Sequence, residues 1–237
     1  MGRHSNDCRF ATKQSLGRSR TRSAPPRTAR DKRDRIGEVL AFASIAPAEI
    51  VADFLPFRGY YTRLFAALVG VAGRAYAVVP EDLTRIERIA KGRAEIAAFA
   101  AGEPTIELAS GPVAQAGALP EPVDLFWISE NYHDLHNAFM GPVDIGAFNA
   151  AVFAALKPGG RLIVIDHVAA KGAPRMSQRS CTASSPSSRG EIEAAGFKWD
   201  GQSDALANPA DRHASSIFAR GIRYHTGRFI HWFRKPA

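Results

Sequence analysis

Apolar positions change period several times along the chain, and each change marks an element. Ile36, Val39, Leu40 and Ala43 recur at helical spacing, and Pro47 predicts the stop. Ile50, Val51, Ala52 and Asp53 read as a short buried strand with Gly59 in the turn after it. Leu64, Phe65 and Leu68 give a helix over 62–69 its inward face, and Gly70 stands at the C-cap position. Residues 75–79 form a second strand. Leu83, Ile86 and Ile89 then share one helical face, which Ile96 and Phe99 extend. A weaker third strand is predicted over 105–108 and a strong fourth over 123–128. Ile145, Phe148, Val152, Phe153 and Leu156 mark a helix, and 157–160 (KPGG) a sharp turn. The unbroken apolar run of 161–166 predicts a fifth strand buried on both faces. A helix at 191–195, a strand near 197–200 and a last strand at 228–233 close the pattern.

Strands alternating with helices predict an α/β fold with a doubly wound, mostly parallel sheet. Ligands in such sheets sit beyond the carboxyl ends of the strands, where the strand order reverses. Four segments fall there: 53–61, 79–81, 129–136 and 166–167.

The 237 residues are 46% hydrophobic and 23% charged, which excludes a wholly disordered chain, a collagen and a disulfide scaffold. Cys8 and Cys181 form no CxxC motif, so a reducing, cytoplasmic setting is the expectation. No apolar run reaches the length of a membrane span, and no secretory signal is expected. Charge changes the picture at one end. Residues 1–35 hold 11 Lys/Arg against 3 Asp, an excess equal to the whole chain's net +8. The rest is neutral, so a basic nucleic-acid face on the folded body is not expected. Residues 1–30 are too poor in large apolar groups to offset their ordering entropy and read as a disordered basic tail. That tail is either solvated and inert or an arm for nucleic acid, a membrane surface or targeting. Residues 31–237 read as one domain with a flexible Ser/Arg-rich loop at 173–190. The composition switch in that loop is also what a shifted reading frame would produce.

Two constellations can carry chemistry. Asp53 ends a strand and is followed by a turn with Gly59 and a helix opened by Tyr60 and Tyr61. A glycine allows close backbone approach and a helix start offers unpaired amides, an arrangement suited to a nucleoside-type cofactor or simply to a tight turn. GxGxxG is absent, which argues against a nicotinamide or flavin dinucleotide. After the fourth strand comes Asn131-Tyr132-His133-Asp134-Leu135-His136. His133 or His136 could take a proton while Asp134 orients it. The competing reading has the same groups bonding backbone in a tight loop. Two His and one Asp without a remote ligand make a poor metal site, so no metal is expected. Asp166-His167 lies on the same side, and His167 reads as rim.

The segments VADFLPFRGYYTRLFAALVG, RAYAVVPEDL, VDLFWISENYHDLHN and FNAAVFAALKPGGRLIVIDH occur in that order. Together they resemble the class I S-adenosylmethionine-dependent methyltransferases, and more narrowly a bacterial group of predicted methyltransferases with GYYT and NYHDLH segments. The resemblance implies a seven-stranded Rossmann-like sheet with a C-terminal antiparallel hairpin, S-adenosylmethionine as cofactor and a small-molecule acceptor. It places Asp53 at the cofactor's amino-acid end, Gly59 where backbone passes the cofactor, and Tyr60, Tyr61 and Asn131 along the pocket. His133, Asp134 and His136 would face the transferred methyl. Where the superfamily has a ribose-binding acid the chain has Val79, which leaves Glu81 as the nearest carboxylate. After the third strand Ser110-Gly111-Pro112 supplies no acid for adenine. Phe57 and Arg58 occupy glycine-loop positions, where they would obstruct the cofactor unless Arg58 pairs with its carboxylate. The alternative function is therefore a methyltransferase-fold protein with a degraded cofactor site, acting as a non-catalytic binding module.

Overall fold

A computed structural model describes residues 34–168, 187–212 and 225–237. The expected tail at 1–30 and residues 173–186 of the expected loop lie outside the described residues. Seven strands alternate with helices: β1 Ile50–Phe54, β2 Arg74–Val78, β3 Ile106–Ala109, β4 Val123–Ser129, β5 Leu156–His167, β6 Lys198–Ser203 and β7 Arg228–Arg234. The helices are α1 Ile36–Ala43, α2 Tyr60–Val69, α3 Glu87–Ala100, α4 Ile145–Ala155 and α5 Ser187–Ala194. The strands form one sheet in the order β3-β2-β1-β4-β5-β7-β6. β1 to β5 pair in parallel, and β7 pairs antiparallel with both β5 and β6. No helix among the described residues is long and apolar enough to cross a membrane.

The sheet is covered on both faces because the middles of the central strands are apolar on both sides. Phe126 and Ile128 of β4 join Phe54, Phe148 and Val164 in one core layer, with α4 and α5 above them. Their neighbours Leu125 and Trp127 point the other way, onto Val51, Phe65 and Ile163 under α1 and α2. Successive side chains of a strand face opposite sides, so one apolar run feeds two layers.

Three elements differ from the pattern. The sharp turn expected at 157–160 is instead the start of β5. Val123 pairs with Leu156 and Leu125 with Arg161, so the KPGG residues form an irregularity within the strand. Gly159, at φ 74°, donates its amide to the Lys235 carbonyl, and Lys235 returns the bond to Gly160. Pro and a left-handed Gly suit a bulge as well as a turn, and the return of β7 alongside decides between them. The helix expected from Leu83 is split: a 3₁₀ turn at Glu81–Leu83 precedes α3. Helix α5 begins at Ser187, inside the segment expected to be loop.

The strand order reverses between β1 and β4. β1 continues to β2 on one side, while β4 continues to β5 on the other. The carboxyl ends of these two strands therefore diverge into loops on opposite sides of a gap, which is the site.

Candidate functional site

A cleft of about 460 Å³ opens at this gap, within the size range of small-molecule sites. Its floor is the end of β1 (Asp53 and Phe54), the end of β4 (Ser129 and Glu130) and His167 from β5. One wall is the β1–α2 turn from Leu55 to Arg58, with Tyr60 and Tyr61. The other is Asn131, His133 and Asp134, with Arg88 and Phe139 at the mouth.

The turn is tight enough to put Leu55 (φ 50°), Phe57 (φ 48°) and Gly59 (φ 72°) in the left-handed region. Only the last is a residue that adopts it without steric cost. Neither Phe57 nor Arg58 plugs the cleft. Arg58 extends along the surface to Glu95 of α3, Nε to Oε2 at 2.7 Å. Phe57 packs on the core beside α3, its ring 5.5 Å from the Arg88 guanidinium. Gly59 does not line the cleft: a Cβ on it would lie 2.1 Å from Ile96 Cδ1, so its bare α-carbon serves the contact with α3. Tyr61 stacks on Phe65 and leans on Trp127, which anchors the start of α2 to the sheet.

Asp53 is buried, with Thr62 Oγ1 donating to its Oδ2 at 2.6 Å. Asn131 is buried as well. Its amide nitrogen donates to the Ser129 carbonyl at 2.6 Å and the Leu55 carbonyl at 3.3 Å, which ties the two walls together. Its Oδ1 is buried and has no hydrogen-bond partner among the described residues. An unsatisfied buried acceptor costs about 1–3 kcal/mol and marks a place where a ligand donor fits.

His133 is held by Asp166, a carboxylate at the end of β5 to which the sequence gives no role. Asp166 Oδ1 lies 2.6 Å from His133 Nδ1, and Asp166 Oδ2 accepts the His133 backbone amide at 2.9 Å. Oδ1 also accepts the His167 amide at 2.8 Å. Burial alone would push the Asp166 carboxyl up. The charge and hydrogen bonds of His133 outweigh it and hold Asp166 below the usual carboxylate range. An ionised carboxylate only accepts, so Nδ1 carries the hydrogen and Nε2 is left facing Asp134 Oδ1 at 3.3 Å. Asp134 is pushed up by burial, against the pull of His133 and Arg88. The Nη2 of Arg88 reaches Asp134 Oδ2 at 3.3 Å, and Asn137 donates to Oδ1 at 3.2 Å. The result is a chain of contacts, Asp166–His133–Asp134–Arg88, running from floor to mouth. Beneath it, buried Arg228 of β7 bridges Glu130 at 2.5 Å and Asp34 at 2.9 Å.

The remaining expected residues lie elsewhere. His136 turns away from the cleft to Glu191 of α5, Nε2 to Oε2 at 3.2 Å, beside the Tyr132 hydroxyl that Asn149 also holds. Glu81 opens the 3₁₀ turn and borders a separate shallow hollow with Thr84 and Arg93. Val79 is buried in the core. The neighbouring Asp82 is occupied in accepting the Val113 amide, which closes the β2 and β3 loops on each other. Asp53 and Asn131 are the cleft residues whose carboxylate and buried Oδ1 could hold the amino-acid end of S-adenosylmethionine. The cleft brings no acid to the ribose or adenine. The sequence puts Asp166 on the ligand side without showing its bond to His133, and it does not point to Arg88. Adjacency of the β4 and β5 ends would have pointed to the bond, whereas nothing in the local pattern marks Arg88.

No family model and no curated protein matches the chain. Solved structures do. A methyltransferase dependent on S-adenosylmethionine from Aquifex aeolicus superposes with a TM-score of 0.56 at 15% identity, over 88% of this chain and 99% of its own. The N-methyltransferase NodS from Bradyrhizobium japonicum gives 0.55 at 14%, over 87% and 97%. The [4+2]-cyclase SpnF gives 0.58 at 16%, over 86% and 81%. At such identities the likeness is one of fold: the chain has the Rossmann-like methyltransferase architecture with its antiparallel C-terminal pair.

Proposed function

We propose that the protein is an S-adenosylmethionine-dependent methyltransferase acting on a small molecule, of the bacterial group with GYYT and NYHDLH segments. The observation that carries this reading is the cleft at the strand-order reversal, with Asp53 and the buried Asn131 oxygen on one side and the Asp166-held His133 on the other. When bound, S-adenosylmethionine supplies a methyl group on a sulfonium, activated before the protein touches it. Asp53 and Asn131 hold the ammonium of its amino-acid end, and Tyr60 and Tyr61 wall that end in. The acceptor's hydroxyl or amine comes in beside Asp134 and gives its proton to His133 Nε2. Asp166 keeps the ring in that tautomer and orientation, and Asp134 receives the charge that develops on it.

Calorimetric titration tests the reading. Wild-type protein is expected to bind S-adenosylmethionine, and Asp53→Asn to bind it about ten- to a hundredfold more weakly. That is the worth of one charge-assisted hydrogen bond, about 1.5–3 kcal/mol. Asn keeps an oxygen for Thr62, so the turn survives the change. Absence of heat at millimolar cofactor would contradict the reading.

A second reading has its own support. Val79 stands where an acid would hold the ribose, and Leu55 and Phe57 take left-handed positions suited to glycine. On that reading the cleft binds a small ligand without methyl transfer. A cyclase among the similar folds illustrates that the architecture serves more than one chemistry.

A further inference from the structure

We infer that Arg88 makes this cleft selective for a planar aromatic acceptor that carries a carboxylate. The inference rests on the methyltransferase reading for the word acceptor, and on the geometry of the mouth for the rest.

Arg88 stands in the first turn of α3 with its side chain 49% exposed. Its guanidinium lies 5.5 Å from the centre of the Phe57 ring and 5.2 Å from that of Phe139. Among the described residues its one hydrogen bond is the 3.3 Å contact from Nη2 to Asp134. A guanidinium has five N–H donors in a planar fork, so most of this one faces the cleft unused. Its counterpart across the mouth, Arg58, is engaged by Glu95 through two contacts. Phe139 is 43% exposed and lines the cleft at the same mouth.

These features define one ligand chemistry. The fork matches a carboxylate in a two-point, charge-assisted pairing. Phe139 and Phe57 both line the cleft and offer apolar ring surface to a flat ligand. Arg88 and His133 contact different oxygens of the same Asp134 carboxylate. A ligand carboxylate on Arg88 therefore brings the ring it is attached to within reach of His133 Nε2, where a ring hydroxyl or amine would lose its proton. Asp134 is the one anion beside the bound carboxylate. It lies between Arg88, whose positive charge offsets it, and His133. Asp53 and Glu130 lie on the floor, and Glu130 is neutralised by Arg228.

The test needs no cofactor, so its outcome is separate from that of the calorimetry above. The probes are 2-, 3- and 4-hydroxybenzoate, each paired with its uncharged amide, titrated into the full chain and followed by protein chemical shifts. At least one acid is expected to bind tenfold or more tightly than its amide. That preference should vanish in Arg88→Gln, fall in Arg88→Lys and persist in Arg58→Gln, with shifts at His133 and Phe139. A thermal melt of each variant checks folding. Phe139→Ala, which leaves the guanidinium in place, should weaken acid and amide alike. Equal binding of acid and amide, no binding of any probe, or a preference that survives Arg88→Gln would overturn the inference. Acid selectivity without cofactor binding would retain it and remove the methyltransferase reading. Cofactor binding without acid selectivity would do the reverse.

Discussion

His133 and His231 sit in opposite surroundings. The first lies between two carboxylates. The second lies among rings: Phe229 at 4.0 Å, Trp199 at 4.7 Å and Phe233 at 6.2 Å. Burial, and then the nearby positive charge of Arg189, pushes the His231 imidazole from 6.5 down to about 4. Between those values the unfolded chain binds a proton that the folded chain does not. Stability is therefore present above pH 6.5, falls as pH drops through the window and levels off below about 4. His231→Phe keeps the ring packing and removes the titration. Urea midpoints from pH 4.5 to 7 should fall less steeply for the variant than for the wild type, and parallel curves would refute the assignment. His167, lowered in the same direction by its own burial, contributes equally to both proteins. At this scale the sequence was only partly legible. Asp53, Asn131, His133 and Asp134 stood out as acid, amide and imidazole groups at strand ends. The Asp166–His133 bond did not, because its partners are 33 positions apart and meet only through β4–β5 pairing. His136 shares the motif of His133 but not its direction. Residues three apart in a 3₁₀ turn eclipse, yet His133 is bonded to Asp166 while His136 is bonded to Glu191 of α5.

Among the elements, the β1–α2 turn sets the shape of the cleft. It reverses the chain between Phe54 and Tyr60 with three left-handed residues, one of them glycine. Gly59→Ala would place a Cβ against Ile96 at φ 72°. The expected loss is about 1–3 kcal/mol of stability, from backbone strain and overpacking together. Denaturant titration measures it, and an unchanged midpoint would mean that α3 yields freely. Because Gly59 lies behind the cleft, ligand affinity should change far less than stability. The sequence marked this glycine correctly as special, but the resemblance assigned its bare surface to the cofactor, and the structure gives it to α3. The KPGG segment carries a similar lesson. Pro and Gly permit either a turn or a bulge, and the choice rests with β7, which pairs beside it from 70 residues further along the chain.

At the scale of the whole molecule, period and order carried the most information. The alternation of strands and helices predicted the parallel sheet, and the unbroken apolar run of 161–166 predicted a strand buried on both faces. The observed order of the strands puts the reversal between β1 and β4, and the reversal places the cleft. What the pattern could not give is how the loops close over that gap, since the contacts of Arg88, Asp82 and Arg228 each join segments distant in sequence. The architecture leaves an acceptor-rich floor under a mouth framed by a guanidinium and two phenylalanines. The central claim is that this floor receives the amino-acid end of an adenosyl cofactor beside His133. A crystal structure with S-adenosylhomocysteine tests it most directly. The account predicts the ligand's ammonium on Asp53 and Asn131 Oδ1, with its sulfur on the His133 side of the cleft. A ligand seated elsewhere, or a cleft that stays empty at saturating concentration, would contradict it.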